Sequence, residues 1–154
     1  PERPVLSEAE GRSAEAPDAP MRHGVVVACT RGDGRWLLVR RADDLERAPG
    51  RVGFPGGVIE PGETQQQAVV REMAEELNLT VTPAAKFWER PGDVPGFFLH
   101  GWLAEVEDFC TLRPDPAEVA EVLWLTGPEA ITHPLAFKGN ASYIEALQAH
   151  CALR

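Results

Sequence analysis

The chain has 154 residues, of which 44% are hydrophobic and 25% charged, and it carries a formal charge of −9. That length suits one domain with a core of its own, and the acidic surface repels nucleic-acid backbones, which speaks against a nucleic-acid duplex as partner. No apolar run approaches the roughly 20 residues of a membrane span, so no membrane partner is expected. Cys29, Cys110 and Cys151 are odd in number and show no CxxC spacing. They are read as reduced thiols of a cytoplasmic protein rather than a disulfide framework or zinc site.

Residues 1–20, PERPVLSEAEGRSAEAPDAP, hold four prolines and five acids without periodicity or an apolar signal segment. They read as a disordered or loosely attached arm, with residues 21–154 as the domain. HGVVVACT is a β-branched run, RGDGR a turn and WLLVRR a second run, which together predict a β-hairpin. Glycine and proline punctuate VGFPGGVIEPGE. Residues 64–77 predict a helix, VTPAAKFWE and GFFLHGWLAEVE two strands around a Gly-Pro turn, and EVAEVLWL another strand. GPEAIT predicts a short helical turn and NASYIEALQAHCAL a C-terminal helix capped by Asn140 or Ser142. Strands on both sides of a central helix, with a closing helix, predict an α/β fold with a mixed sheet packed between helices.

The helix over 64–77 has its own start and stop. Thr64 and Gln67 form a T-x-x-Q capping-box pattern, and Asn78 tolerates the left-handed conformation that ends helices. At about 100° per residue, Val69, Val70, Met73 and Leu77 share one side, the expected core stripe. Glu72, Glu75 and Glu76 share the neighbouring side, with small Ala68 a turn before them. Like charges at i, i+3 and i+4 destabilise an isolated helix by a few tenths of a kcal/mol per pair. Two readings compete for E-x-x-E-E taken alone: a solvated acidic face, or hard oxygen ligands for Mg2+ or Mn2+.

The longer stretch Gly57–Leu79, GVIEPGETQQQAVVREMAEELNL, resembles the signature of the Nudix hydrolases, G-x5-E-x7-R-E-U-x-E-E-x-G-U, where U is a bulky aliphatic residue. Gly57, Glu63, Arg71, Glu72, Met73, Glu75, Glu76 and Leu79 match, and only the final glycine differs, as Asn78. FPGG before the box and Glu118, Glu121 and Trp124 after it are also similar to the family. The resemblance implies a Nudix-type α/β/α sandwich with a central mixed β-sheet. It implies metal-dependent hydrolysis of a phosphoanhydride in a nucleoside diphosphate linked to another moiety: a nucleotide, a nucleotide-sugar or an ADP-ribose-like compound. Glu72, Glu75 and Glu76 are then catalytic metal ligands together with the Gly56 carbonyl, and Mg2+ or Mn2+ the cofactor. Gly57, Glu63 and Arg71 become structural, with Arg71 bracing a box carboxylate. Glu118 or Glu121 supplies a downstream acid that completes the site or acts as general base. A homodimer is left open, as in many members of the family.

Arg40 and Arg41 close the second strand and are candidate substrate contacts. His100 reads as an ordinary strand residue, and His133 and Lys138 as loop residues near a phosphate at most. Trp36, Trp88, Trp102, Trp124 and Phe97–Phe98 read as core. Pro95 stands 16 residues past the box, near where ADP-ribose-hydrolysing members carry a proline, and no SQPWPFP-like stretch follows. The alternatives are a catalytically silent Nudix-fold nucleotide-binding or sensor module, against which the intact box acids speak, and an isoprenoid diphosphate isomerase. No cysteine here sits in the isomerase motif.

Overall fold

The computed structural model describes residues 21–45, 48–92 and 95–153; the reading of residues 1–20 as a loose arm lies outside them. In chain order the elements are β1 (Arg22–Ala28), β2 (Trp36–Arg41), β3 (Val52–Gly53), β4 (Gly56–Val58) and α1 (Gln65–Leu77). After them come β5 (Val81–Pro91), β6 (Phe97–Val106), β7 (Val119–Leu125), α2 (Gly127–Thr132) and α3 (Asn140–Ala152).

The expected hairpin of β1 and β2 forms only at its turn. The Leu37 amide donates to the Cys29 carbonyl at 2.9 Å and Thr30 bridges Trp36, after which the strands part. β1 enters a mixed sheet of order β4-β1-β6-β5, whereas β2 enters a second sheet of order β3-β2-β7. The reason lies in β1 itself. Gly24 through Ala28 are buried in succession, as in a central strand covered on both faces rather than a hairpin arm with one wet face. Its two edges are taken by β6, parallel from Arg22 opposite Phe97 to Ala28 opposite Leu103, and by β4, antiparallel. β5 lies at the sheet's edge, where Pro83 and Pro91 are tolerated, and its register against β6 shifts twice.

Alternate residues of the mixed sheet feed two cores. Val25, Val27, Trp102 and Ala104 face Val69, Met73 and Leu77 of α1. Val26, Ala28 and Leu103 face Tyr143, Ile144 and Leu147 of α3. Helices on both faces of a mixed sheet make the α/β/α sandwich expected from the sequence.

Helix α1 begins and ends as its sequence predicts. Thr64 Oγ1 accepts the Gln67 amide at 3.1 Å, and Gln67 Oε1 accepts the Thr64 amide at 2.9 Å. Asn78 takes the left-handed conformation at φ 58°. The buried face is rotated from the expected stripe. Ala68, Val69, Glu72, Met73, Glu76 and Leu77 are buried, and Val70 is 40% exposed. This arc spans roughly half the helix circumference. Val70 falls beyond one border of it and Glu75 beyond the other.

Neither expected cap of α3 serves as one. Gly139 precedes the helix without a side-chain hydrogen bond. Asn140 is buried, its Nδ2 donating to the Val52 carbonyl at 3.2 Å and the Ala130 carbonyl at 3.0 Å. Ser142 Oγ accepts the Trp88 indole N–H at 3.1 Å. Both side chains tie the helix to neighbouring elements, β3, β5 and α2, instead of to its own amides.

Candidate active site

Two glycines open the site. A Cβ on Gly56 would collide with the Val25 carbonyl across the β1–β4 pairing, and a Cβ on Gly57 would collide with Oε2 of Glu72. The missing side chains therefore let the box loop lie against β1 and give the Glu72 carboxylate its seat. Glu72 and Glu76, four residues apart on α1, are 3% and 4% exposed. Glu75 stands at the rim, its side chain 40% exposed.

Arg71 organises this corner. Its Nε and Nη2 grip Glu63 at 2.7 and 2.9 Å, and Nη2 also donates to the Val58 carbonyl at 3.0 Å. Nη1 donates to Glu72 at 3.0 Å and Glu75 at 3.1 Å. The forked guanidinium suits this work because it offers five donors in fixed directions and stays charged. Hydrogen bonding from Arg71 holds the Glu63 carboxyl below the usual carboxylate range, and Glu63 in turn raises Arg71 above its ordinary value. The fixed cation among the acids answers the crowding that the sequence displays.

The two downstream acids part company. Glu118 is 7% exposed. Its segment is tied to the end of α1, since the Asp115 amide donates to the Glu76 carbonyl at 2.9 Å and the Glu118 amide to the Asp115 carbonyl at 3.0 Å. Glu121 lies on β7 opposite Arg40 of β2, with its side chain 54% exposed, and accepts from Arg40 Nε at 3.1 Å. Arg40 also binds Asp43 at 2.8 Å, while Arg41 is buried and donates to the Ala48 carbonyl at 3.1 Å. The second sheet thus holds Glu121 and Arg40 in an ion pair of their own. Among the described residues, no group of three or more His, Cys, Asp or Glu side chains is gathered closely enough to hold a cation as it stands. The chemistry of the donor set does fit one. Glu72 and Glu76 offer hard oxygens from a single helical face, with the Gly56 carbonyl as a further oxygen donor of the kind Mg2+ accepts.

A cleft of about 810 Å3 adjoins this corner, and Glu60, Glu63, Arg71, Glu72, His23 and His100 are among the residues that line it. Sequence reasoning treats His100 as an ordinary strand residue; the structure pairs its Nε2 with His23 Nδ1 at 2.9 Å. The two lie 77 positions apart and meet only through the parallel β1–β6 pairing, so no local signal marks them. Burial, with help from Lys86 and His23, pushes the His100 pKa down from 6.5 to about 4. His133 stays in its loop, its Nδ1 accepting the Leu135 amide at 3.0 Å. Trp124 is covered by the Arg31 guanidinium, 3.9 Å from the ring centroid, and the Trp102 indole N–H donates to Gln65 at 2.9 Å.

Comparison with known proteins agrees with this architecture. The NUDIX domain model matches residues 20–147. A CTP pyrophosphohydrolase of Escherichia coli is 36% identical over 131 residues, covering 84% of this chain and 92% of that protein. An 8-oxo-dGTP diphosphatase of the same organism is 36% identical over 84 residues, covering 54% of this chain and 64% of that protein. Among solved structures, the E. coli ORF135 protein superposes with a TM-score of 0.70 at 30% identity, over 92% of this chain and 98% of its own. A MutT protein from Methanosarcina mazei, at 18% identity and a TM-score of 0.73 over 88% of this chain and 99% of its own, shares the fold. With the box spacing, the sandwich and the matched model in agreement, the chain belongs to the Nudix family and is a Nudix hydrolase.

Proposed function

We propose that this chain hydrolyses a phosphoanhydride bond of a nucleoside triphosphate, or of a nucleoside diphosphate linked to another group, with Mg2+ or Mn2+. The observation that carries the reading is the corner itself, where Glu72, seated against Gly57, and Glu76, one turn on, are both buried on a doubly capped helix. The pyrophosphohydrolase relative, which covers most of the chain, favours CTP or a similar nucleotide as the first substrate to try.

Glu72, Glu75, Glu76 and the Gly56 carbonyl are the groups that would hold the cation. A bound divalent cation would supply charge neutralisation for the anhydride and acidify a water. The chain's own residues do the rest. Arg71 ties Glu63, Glu72 and Glu75 to one another, which limits how far the acids must move when cation and substrate arrive. Helix mounting keeps the carboxylates in register better than a loop would. Of the two downstream acids, Glu118 is the one we assign as general base. It is buried beside the end of α1, whereas Glu121 is engaged by Arg40 on the second sheet. A carboxylate held in a dry setting can take a proton from an attacking water.

The test is a panel of nucleoside diphosphate and triphosphate derivatives, with Mg2+, with Mn2+ and with chelator, products identified by mass spectrometry. Metal-dependent conversion of CTP to CMP and pyrophosphate is expected. Tight nucleotide binding without cleavage under any metal condition would replace hydrolysis with a sensing role.

A further inference from the structure

The cleft beside the box carries groups that the hydrolytic reading leaves unused. His23 and His100 meet with planes 20° apart and ring centroids 5.2 Å apart. That separation is too great for face contact. With Nδ1 and Nε2 at 2.9 Å, the rings meet edge to edge through an N–H···N hydrogen bond. One nitrogen therefore carries the proton and the other its lone pair.

The far side of His100 decides which. Its Nδ1 is buried, makes no hydrogen bond and lies 3.7 Å from Glu89 Oε1. Lys86 Nζ stands 2.6 Å from that same oxygen and holds the Glu89 carboxyl below its ordinary value. A lone pair facing this carboxylate is repelled, whereas an N–H is attracted. The proton of His100 accordingly sits on Nδ1, and its Nε2 accepts from His23 Nδ1–H. His23 is exposed and lines the cleft, and its Nε2 is the nitrogen left with the lone pair.

Away from Glu72, which belongs to the cation-holding corner, the wall is unsuited to phosphate. Arg71 is engaged by Glu63, Glu72 and Glu75, the Arg22 guanidinium lies over the Phe97 ring at 5.1 Å, and Glu60 and Glu63 add negative charge. We infer that His23 Nε2, locked in one tautomer by His100 and Glu89, is a specificity group that accepts a hydrogen bond from an uncharged amino or hydroxyl group of the substrate's nucleoside half. This inference rests on the proposed hydrolysis of nucleotides.

Two measurements test it. Long-range 1H–15N correlation on the whole protein at neutral pH is expected to show both rings protonated at Nδ1 and bare at Nε2. A His23 ring protonated at Nε2 overturns the assignment. The kinetic arm uses two isosteres, since Gln places an acceptor near Nε2 and Asn only near Nδ1. His23→Asn is expected to raise KM for CTP about tenfold with kcat within about twofold, the loss of one hydrogen bond. His23→Gln is expected to stay within about threefold of wild type. Equal losses in the two variants, or an unchanged KM in His23→Asn, overturn the specificity role. A loss shared by UTP assigns the donor to a sugar hydroxyl, and a loss confined to CTP assigns it to the base amino group. A wild-type chain that cleaves no nucleotide defeats the hydrolytic reading instead. The tautomers are then still read directly, and calorimetric binding of CMP to His23→Asn against wild type replaces KM, equal affinity overturning the inference.

Discussion

Helices α1 and α3 are both 13 residues long, yet they are held in opposite ways. α1 is written locally: a reciprocal capping box at Thr64 and Gln67, and a left-handed close at Asn78. α3 has no side-chain cap, and the polar residues of its first turn reach into the protein, Asn140 to Val52 and Ala130 and Ser142 to Trp88. A helix this short is marginal by itself in water, so each needs the sheet. The difference shows where placement must be strict. The helix bearing Glu72, Glu75 and Glu76 has its ends fixed by its own sequence, which fixes the phase of its side chains. The closing helix takes its position from what it buries.

Variants in the two helices should therefore separate chemistry from stability. The largest effect is expected at Glu76→Gln, with turnover down about a hundredfold or more while circular dichroism and melting stay close to wild type; Glu75→Gln, at the exposed rim, should lose less. Near wild-type turnover in both would sink the metal-holding role. Leu147→Ala empties a fully buried position on α3 and should cost about 3 kcal/mol of unfolding free energy, read by denaturant titration, with kcat nearly unchanged in what remains folded. Thr64→Ala removes the N-cap of α1 and should cost about 1 kcal/mol. The smallest change is expected at Asn78→Gly. Glycine is easier in the left-handed conformation, but Asn78 Nδ2 donates to the Thr111 carbonyl at 2.9 Å, and Thr111 Oγ1 returns a bond to the Asn78 carbonyl at 3.0 Å. The gain and the lost side-chain bond should cancel to within about 0.5 kcal/mol. A clear stabilisation would mean that the Asn78 side-chain bond to Thr111 contributes nothing.

What was legible in the sequence follows the same division. The ends of α1, the strands and the box spacing are encoded by near neighbours and were readable. Three features were not, because distant chain sets them. Val70 looked like core by helical period, but the sheet meets α1 along an arc that takes in Glu72 and Glu76 instead. β1 and β2 looked like a hairpin, but β4 takes the edge of β1 that β2 would have used, and β6 fills the other. Asn140 looked like a cap and is a cross-brace. The candidate site divides likewise: the Glu63–Arg71–Glu72 corner spans ten residues of sequence, whereas His23 and His100 become neighbours only when the sheet assembles.

Tyr143 is the chain's single tyrosine. Its hydroxyl donates to the Val26 carbonyl at 2.7 Å, and its ring is walled by Phe54, Phe87 and Trp88. Burial raises its pKa well above 10, so the phenolate is shut out for as long as α3 lies on the sheet. One residue thus makes a built-in optical gauge. Absorbance that appears in alkali records the lifting of the closing helix, not the titration of a surface, and the protein can be followed with no label at all.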